Sequence, residues 1–316
     1  VSRPRTRAEL TEAVRPFQRR LLELCYRMLG SVDAAQEQAT AVDRLLWKER
    51  SRIAADGGVE HLVLTLAARA CVEIAERERH HRQVVAVPLP PEATVVVAAQ
   101  APWVQPLPDL ADGAERPIGL DTVTALAHLS AVQRACIVLR YGLGWSTPVT
   151  AEALGLSIFG AHSTTQRGRD ALRARLGRTT PPSARAGLSE EDRTAAERYC
   201  RAVESGDDRV VAECLRHDVI VTHQPGAAGN QQRRPQVLRG HEEVLRSWAP
   251  LLAAGSPVGA RLELIGSCAG RPVVLSSIRP DDCSPYRPFA LEVLGLRGNR
   301  VSELANFDPA LARHFE

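Results

Sequence analysis

Apolar residues recur at spacings of three and four through roughly the first two-thirds of the chain, then give way to short β-branched runs. Helical stripes and strands bury different faces, so the two stretches need separate architectures. In the helical part, Leu10, Val14, Phe17, Leu21, Leu24 and Met28 predict a helix over 8–29, stopped by Gly30 and Ser31. A second helix is predicted over about 33–55, with Ala41, Leu45, Leu46 and Ile53 on one side. A third covers about 59–79, with Leu62, Leu66, Ala70 and Ile74 as its stripe, and three such helices make a bundle. Near the other end, runs at 219–222, 260–264, 272–278, 289–296 and 300–307 read as strands. Helices at 189–205 and 208–216 precede them and one at 240–253 lies among them, which predicts an α+β domain.

Seven prolines between Pro88 and Pro117 break the pattern over 84–118, because proline removes a donor and disfavours helix before it. This reads as a linker that rests partly on a domain through Trp103, Val104 and Leu107. A second break falls at Pro181-Pro182-Ser183. Between the breaks, Leu120-Asp121 opens a helix to about 128, and Ser130 can cap the next, which ends before Gly142 and Gly144. A short helix at 148–154, a Gly155-Leu156 turn and a long helix capped by Ser157 follow. That is the layout of a helix-turn-helix, whose second helix enters the DNA major groove; a plain helical hairpin is the bland alternative. Its inner face is predicted as Ile158, Ala161 and Leu172. The candidate DNA-contacting residues are Ser157, Phe159, Ser163, Thr164, Gln166, Arg167, Arg169 and Arg173. Ser, Thr and Gln can bond base edges, while Arg binds phosphate or guanine.

Charge sharpens this. The chain is +3 overall, but residues 130–178 hold seven arginines against Glu152 and Asp170, whereas 188–316 are net −2. A polyanion partner is therefore met by the middle of the chain, unless the arginines simply decorate helix surfaces. With 44% hydrophobic and 24% charged residues, a wholly disordered chain is excluded. No stretch approaches the ~18–20 apolar residues of a membrane span. The basic start leads into charged sequence without the apolar core of a secretory signal, so a cytoplasmic location is expected. Seven scattered cysteines with no Cys-x-x-Cys pair read as buried reduced thiols. His61, His80 and His81 lack a supporting Cys or carboxylate, so no metal site is expected. Trp145 and Trp248 read as packing residues, and Asn299-Arg300 as part of a hairpin turn.

The order Leu129, Gln133-Arg134, Leu143-Gly144-Trp145, Leu154-Gly155, Ser157, Gln166-Arg167, Arg169, Leu172 resembles the promoter −35-reading domain of extracytoplasmic-function (ECF) sigma factors. Cys25-Tyr26-Arg27-Met28-Leu29-Gly30-Ser31 is similar to the opening of the core-polymerase-binding, −10-reading domain in one branch of that family. The stretch 102–109 is similar to that branch's linker. Segments 198–207, 238–240, 287–291 and 297–301 are similar to its fused C-terminal SnoaL-like domain, an α+β cone of the ketosteroid-isomerase type. The resemblance implies a multi-domain chain: two all-α helical domains, the second with the helix-turn-helix, followed by an α+β SnoaL-like cone. The implied boundaries are 1–83 for the region 2-like domain, 84–118 for the Pro-rich linker, 119–178 for the region 4-like domain, 179–187 for a linker and 188–316 for the cone. It implies RNA polymerase core and promoter DNA as partners, with no membrane, no cofactor and no metal. The fused domain is implied to modulate the sigma domains, with a small-molecule ligand as a further candidate partner.

The chain departs from the family pattern at several places. Ala34-Ala35-Gln36-Glu37-Gln38-Ala39-Thr40 replaces an acidic polymerase-binding pattern, and 64–71 carries neither an aromatic residue nor Asn where the family traps flipped bases. Thr150 and Thr165 stand at apolar positions, and Pro148 enters the short helix. Candidate polar residues lining the cone are His223, Arg239, His241, Tyr286 and Glu292; a His or carboxylate in an apolar pocket could act as a base, but no dyad at fixed spacing assigns a catalytic residue. Three readings stay open. The chain is a non-enzymatic sigma factor regulated by its C-terminal domain, a degenerate sigma scaffold whose pocket binds or converts a small molecule, or a DNA-binding regulator unable to melt promoters.

Overall fold

The computed structural model describes residues 6–53, 58–109, 117–176, 187–252 and 256–315. Arg178 and the break at 181–183 lie outside these residues. The chain forms two compact units, one of Val1–Val84 with Val123–Thr179 and one of Val85–Thr122 with Thr180–Glu316.

The first unit is helical. The helix expected over 8–29 is two helices, α1 (Arg7–Val14) and α2 (Gln18–Leu29), separated by a 3₁₀ turn at Arg15–Phe17. Pro16 lies in that turn and has no N–H to continue the α-helical ladder. Gly30 ends α2 in the left-handed conformation at φ 74°, and Ser31 caps α3 (Val32–Glu49) by accepting the Ala34 N–H at 3.2 Å. Helix α4 (Val59–Arg77) packs against α2 and α3 on one side and against α6 (Ala131–Ile137) and α7 (Thr147–Leu154) on another. It therefore buries Val63, Leu64, Ala67, Ala68 and Cys71 besides Leu62, while Leu66, Ala70 and Ile74 of the predicted stripe are only half-buried. Helix α5 (Leu120–Ala127) spans the boundary of the two units, and α8 (Ile158–Leu176) closes the helical one.

Three arginines cement this unit through the carbonyl-rich ends of helices. The buried Arg134 donates to the Leu126, Ala127 and Leu129 carbonyls at 2.9, 3.1 and 3.4 Å, and to the carbonyl of Met28. Arg82 donates to the Leu29 carbonyl, and Arg69 to the carbonyls of Ala153 and Glu152. The last carbonyls of a helix lack intrahelical donors and sit at the negative end of its dipole, so a guanidinium satisfies both demands.

The second unit holds α9 (Glu190–Glu204), α10 (Asp208–Cys214), β1 (Leu215–His223), β2 (Gln236–Arg239), α11 (His241–Leu252), β3 (Gly259–Cys268), β4 (Arg271–Arg279), β5 (Arg287–Arg297) and β6 (Arg300–Phe307). The strands form one sheet in the order β2-β1-β6-β5-β4-β3, antiparallel except for the β1–β6 pair. Strand β2 is absent from the sequence reading because its four residues follow a run of polar ones. The apolar core joins Ala196, Tyr199 and Val203 of α9 to Val219, Val221, Val274, Leu294 and Leu304 of the sheet, with Trp248 packed at its margin. The β5–β6 turn, Gly298-Asn299, has both φ values positive, as a two-residue type I′ hairpin demands.

The Pro-rich stretch is fastened to this sheet. Glu303 of β6 accepts the N–H groups of Thr94, Val95 and Val96 at 2.9, 2.8 and 3.1 Å. Gly295 leaves room for that carboxylate side chain, since a Cβ there would sit 2.8 Å from the Glu303 Cβ. Ala93 and Val96 pack against Ile220. Farther along, Asp109 accepts the N–H groups of Ala269 and Gly270, both at 2.7 Å, and the Ser267 hydroxyl at 2.8 Å, holding the β3–β4 turn.

Candidate nucleic-acid interface

The hairpin of α7 and α8 is built by local chemistry. Ser146 caps α7 by accepting the Val149 N–H, and Pro148 falls in the first turn, where its missing donor costs nothing. Gly155, at φ 65°, ends α7 and turns the chain. Ser157 then accepts the Gly160 N–H at 3.0 Å and starts α8. Helix α8 lies against α6 and α7 through Ala161, Thr165 and Gly168, where a Cβ on Gly168 would come 3.0 Å from Ile137. Thr165 is tolerated inside because its hydroxyl bonds the Ala161 carbonyl at 2.7 Å. The Thr150 hydroxyl, fully buried, finds no partner among the described residues. Ile158, predicted as interior, is 59% exposed, because the buried contact of α8 begins only at Ala161.

The predicted DNA-facing residues share the side of α8 away from α6 and α7 to differing degrees. Ser157, Phe159, Arg167 and Arg173 are exposed, while Ser163, Thr164, Gln166 and Arg169 are half-buried. They interlock. Arg169 donates to Gln166 Oε1 at 2.8 Å, Gln166 donates to the Asp170 carboxylate at 3.2 Å, and Arg167 reaches Thr164 Oγ1 at 3.4 Å. Arg175 is exposed at the far end. Not every arginine of the basic segment is free for a ligand. Arg134 is spent on helix-end carbonyls, and burial lowers its pKa to about 10, leaving it charged. Arg140 donates to the Trp145 carbonyl, and Trp145 packs against His61 with ring centroids 4.7 Å apart.

In the α+β unit the five polar candidates separate. His223 and Glu292 are buried and lie in one cross-strand row: Glu292 of β5 pairs with Asn306 of β6, which pairs with His223 of β1. Asn306 Nδ2 lies 3.1 Å from His223 Nδ1, and the Tyr199 hydroxyl donates to Glu292 at 2.9 Å. Burial raises the Glu292 pKa to about 7, against hydrogen bonds from Ser276 and Tyr199, and lowers that of His223 to about 4. The sequence reading missed Tyr199 and Asn306, the two groups that complete the row; only strand register reveals Asn306. Arg239, His241 and Tyr286 are not part of it. Arg239 bonds the Pro88 carbonyl and lines a cleft of about 250 Å³ between the Pro-rich stretch and the sheet. His241 opens α11, and Tyr286 is an exposed loop residue stacked by Arg279 at 5.2 Å. Among the described residues no group of three or more His, Cys, Asp or Glu is placed to hold a metal, and no helix is long and apolar enough to cross a membrane. Six cysteines are free and buried, while Cys283 is exposed.

These features define a class: a chain that couples a helix-turn-helix with a basic, polar outer face to a separate α+β unit. Residues 120–172 match the family described as Sigma-70, region 4, so the hairpin and its supporting helices are a sigma-70 region 4 domain. The chain is 29% identical over 318 residues to the ECF RNA polymerase sigma factor SigG of Mycobacterium tuberculosis, in each of two strains; the alignment covers 95% of this chain and 81% of that protein. A crystal structure of the M. tuberculosis ECF sigma factor SigJ shares the fold, with a TM-score of 0.56 and 19% identity over 93% of this chain and 95% of that one. Over most of its length the chain is thus similar to ECF sigma factors.

Proposed function

We propose that this protein is a sigma factor that directs RNA polymerase core to selected promoters. Transcription initiation is its role, without enzymatic chemistry of its own, and the α+β unit regulates it. Residues 1–83 serve as the region 2-like domain and 119–178 as the region 4-like domain that reads the −35 element. The observation that carries this reading is α8: a helix entered from a tight turn, sealed on one side by α6 and α7, and lined on the other by Ser157, Gln166, Arg167 and Arg173. That surface suits phosphate neutralisation together with base-edge contacts. The test is run-off transcription with the full-length chain and bacterial core polymerase, preceded by co-elution of the two. Promoter-specific transcripts support the reading; absence of both binding and transcripts removes it.

A second reading rests on α4. Its stretch 64–71 has no aromatic residue or Asn with which to hold an unstacked base, and that stretch is largely buried. On this reading the protein binds its duplex without opening it, and run-off transcription fails while salt-dependent duplex binding persists. A small-molecule ligand for the α+β unit is supported only by the Glu292–Asn306–His223 row, and heat-capacity or melting shifts with candidate ligands would test it.

A further inference from the structure

The first turn of α8 carries two large apolar side chains in water, Ile158 at 59% and Phe159 at 82% exposure. Among the described residues, nothing in the helical unit covers them. Gly160, next in sequence, leaves the turn bare: a Cβ there would meet only the Ser157 hydroxyl, at 3.0 Å. Phe159 shares a helical stripe with Ser163 and Gln166, at spacings of four and three. The same helix carries Arg167, Arg169, Arg173 and Arg175. An apolar tip followed by polar and cationic residues along one helix matches a duplex groove, where phosphates flank base edges that include the thymine methyl group. The residues near the start of a recognition helix are the ones that reach base edges.

We propose that Ile158 and Phe159 set promoter specificity by packing on the 5-methyl groups of thymine at one end of the recognised element. This rests on the DNA-reading function given to α8 above. Arginine and glutamine then position the helix, and the tip selects thymine over cytosine or uracil by apolar contact alone.

The test uses the full-length chain bound to core polymerase and a duplex selected by that complex from a randomised pool. Each thymine of the selected duplex is replaced singly by deoxyuridine, which removes only the methyl group. The wild-type complex loses roughly fourfold in affinity at one or two positions, the worth of one buried methyl. Phe159→Ala binds more weakly and no longer distinguishes thymine from uracil there. Arg167→Ala weakens every duplex and keeps the thymine-to-uracil ratio. If the selected duplex is bound but deoxyuridine has no effect, or if Phe159→Ala retains the methyl sensitivity, the inference fails while DNA reading stands. If Phe159→Ala lowers affinity for core polymerase and leaves methyl sensitivity intact, the tip is a protein-docking surface and the inference is overturned. If no duplex is enriched, the DNA-reading function fails and the inference falls with it.

Discussion

Glu292 and His223 sit on the same buried row with opposite titration shifts. The native Glu292 pKa is raised from 4.5 to about 7, so between those values the unfolded chain has released a proton that the native state keeps. Stability from this group is therefore lost as pH rises through that window. His223, lowered from 6.5 to about 4, acts the other way: its contribution is present above 6.5 and lost as pH falls toward 4. The two slopes oppose each other over most of their range, and the Glu292 penalty stands in full above about 7. Glu292→Gln keeps an acceptor for Tyr199 and carries no charge. It should match the parent near pH 4 and exceed it at pH 8 by up to about 3 kcal/mol, read from urea melts at both pH values. A second residue-level expectation concerns Arg134, whose bonds to four carbonyls hold α2 and α5. Arg134→Ala should destabilise the helical unit on the order of 3 kcal/mol, because it orphans several buried acceptors at once; urea melts followed by helical circular dichroism measure it.

Turns and helices show where the sequence is legible and where it is silent. The helix-turn-helix can be read directly, because Ser130, Ser146, Gly155 and Ser157 are local signals that act within a few residues. The helices of the first unit are equally legible, yet the stripe of α4 is not. A helix covered from two sides by partners distant in sequence shows no single apolar face, and a one-sided reading lands on half-buried residues such as Leu66. Polar rows such as Glu292–Asn306–His223 depend on register, which no single strand encodes. The β3–β4 turn offers a test at this scale. Ala269 has φ 52°, a conformation costly for any residue with a Cβ, and Asp109 pins it. Ala269→Gly should stabilise the α+β unit by roughly 1 kcal/mol, while Asp109→Ala should destabilise it by about 2 kcal/mol. Thermal melts of the two variants distinguish relief of strain from loss of the pin. On α8, Arg167→Ala should flatten the salt dependence of duplex binding by about one unit of slope, whereas Glu292→Gln should leave that binding unchanged.

The helical unit brings α1–α4 and the region 4 domain into one packed body, through α4 against α6 and α7. Elements centred near −10 and −35 lie roughly 80 Å apart along B-DNA at ~3.4 Å per base pair. Fluorophores placed on exposed positions of α1 and α8 should therefore move apart when core polymerase and promoter are added; an unchanged distance in a transcribing complex would contradict simultaneous reading of both elements. The carboxylates Glu303 and Asp109 have a bearing on how this protein can be dissected. Stopping the chain after α8 strips the stretch 85–109 of the sheet that shelters Ala93 and Val96 and of the carboxylate that holds the Val95 N–H. A shortened protein of that kind begins its life with a greasy, unzipped loop in its middle. Any gain or loss of transcription it shows reports that damage together with the missing α+β unit, and only substitutions that keep both anchors can tell the two apart.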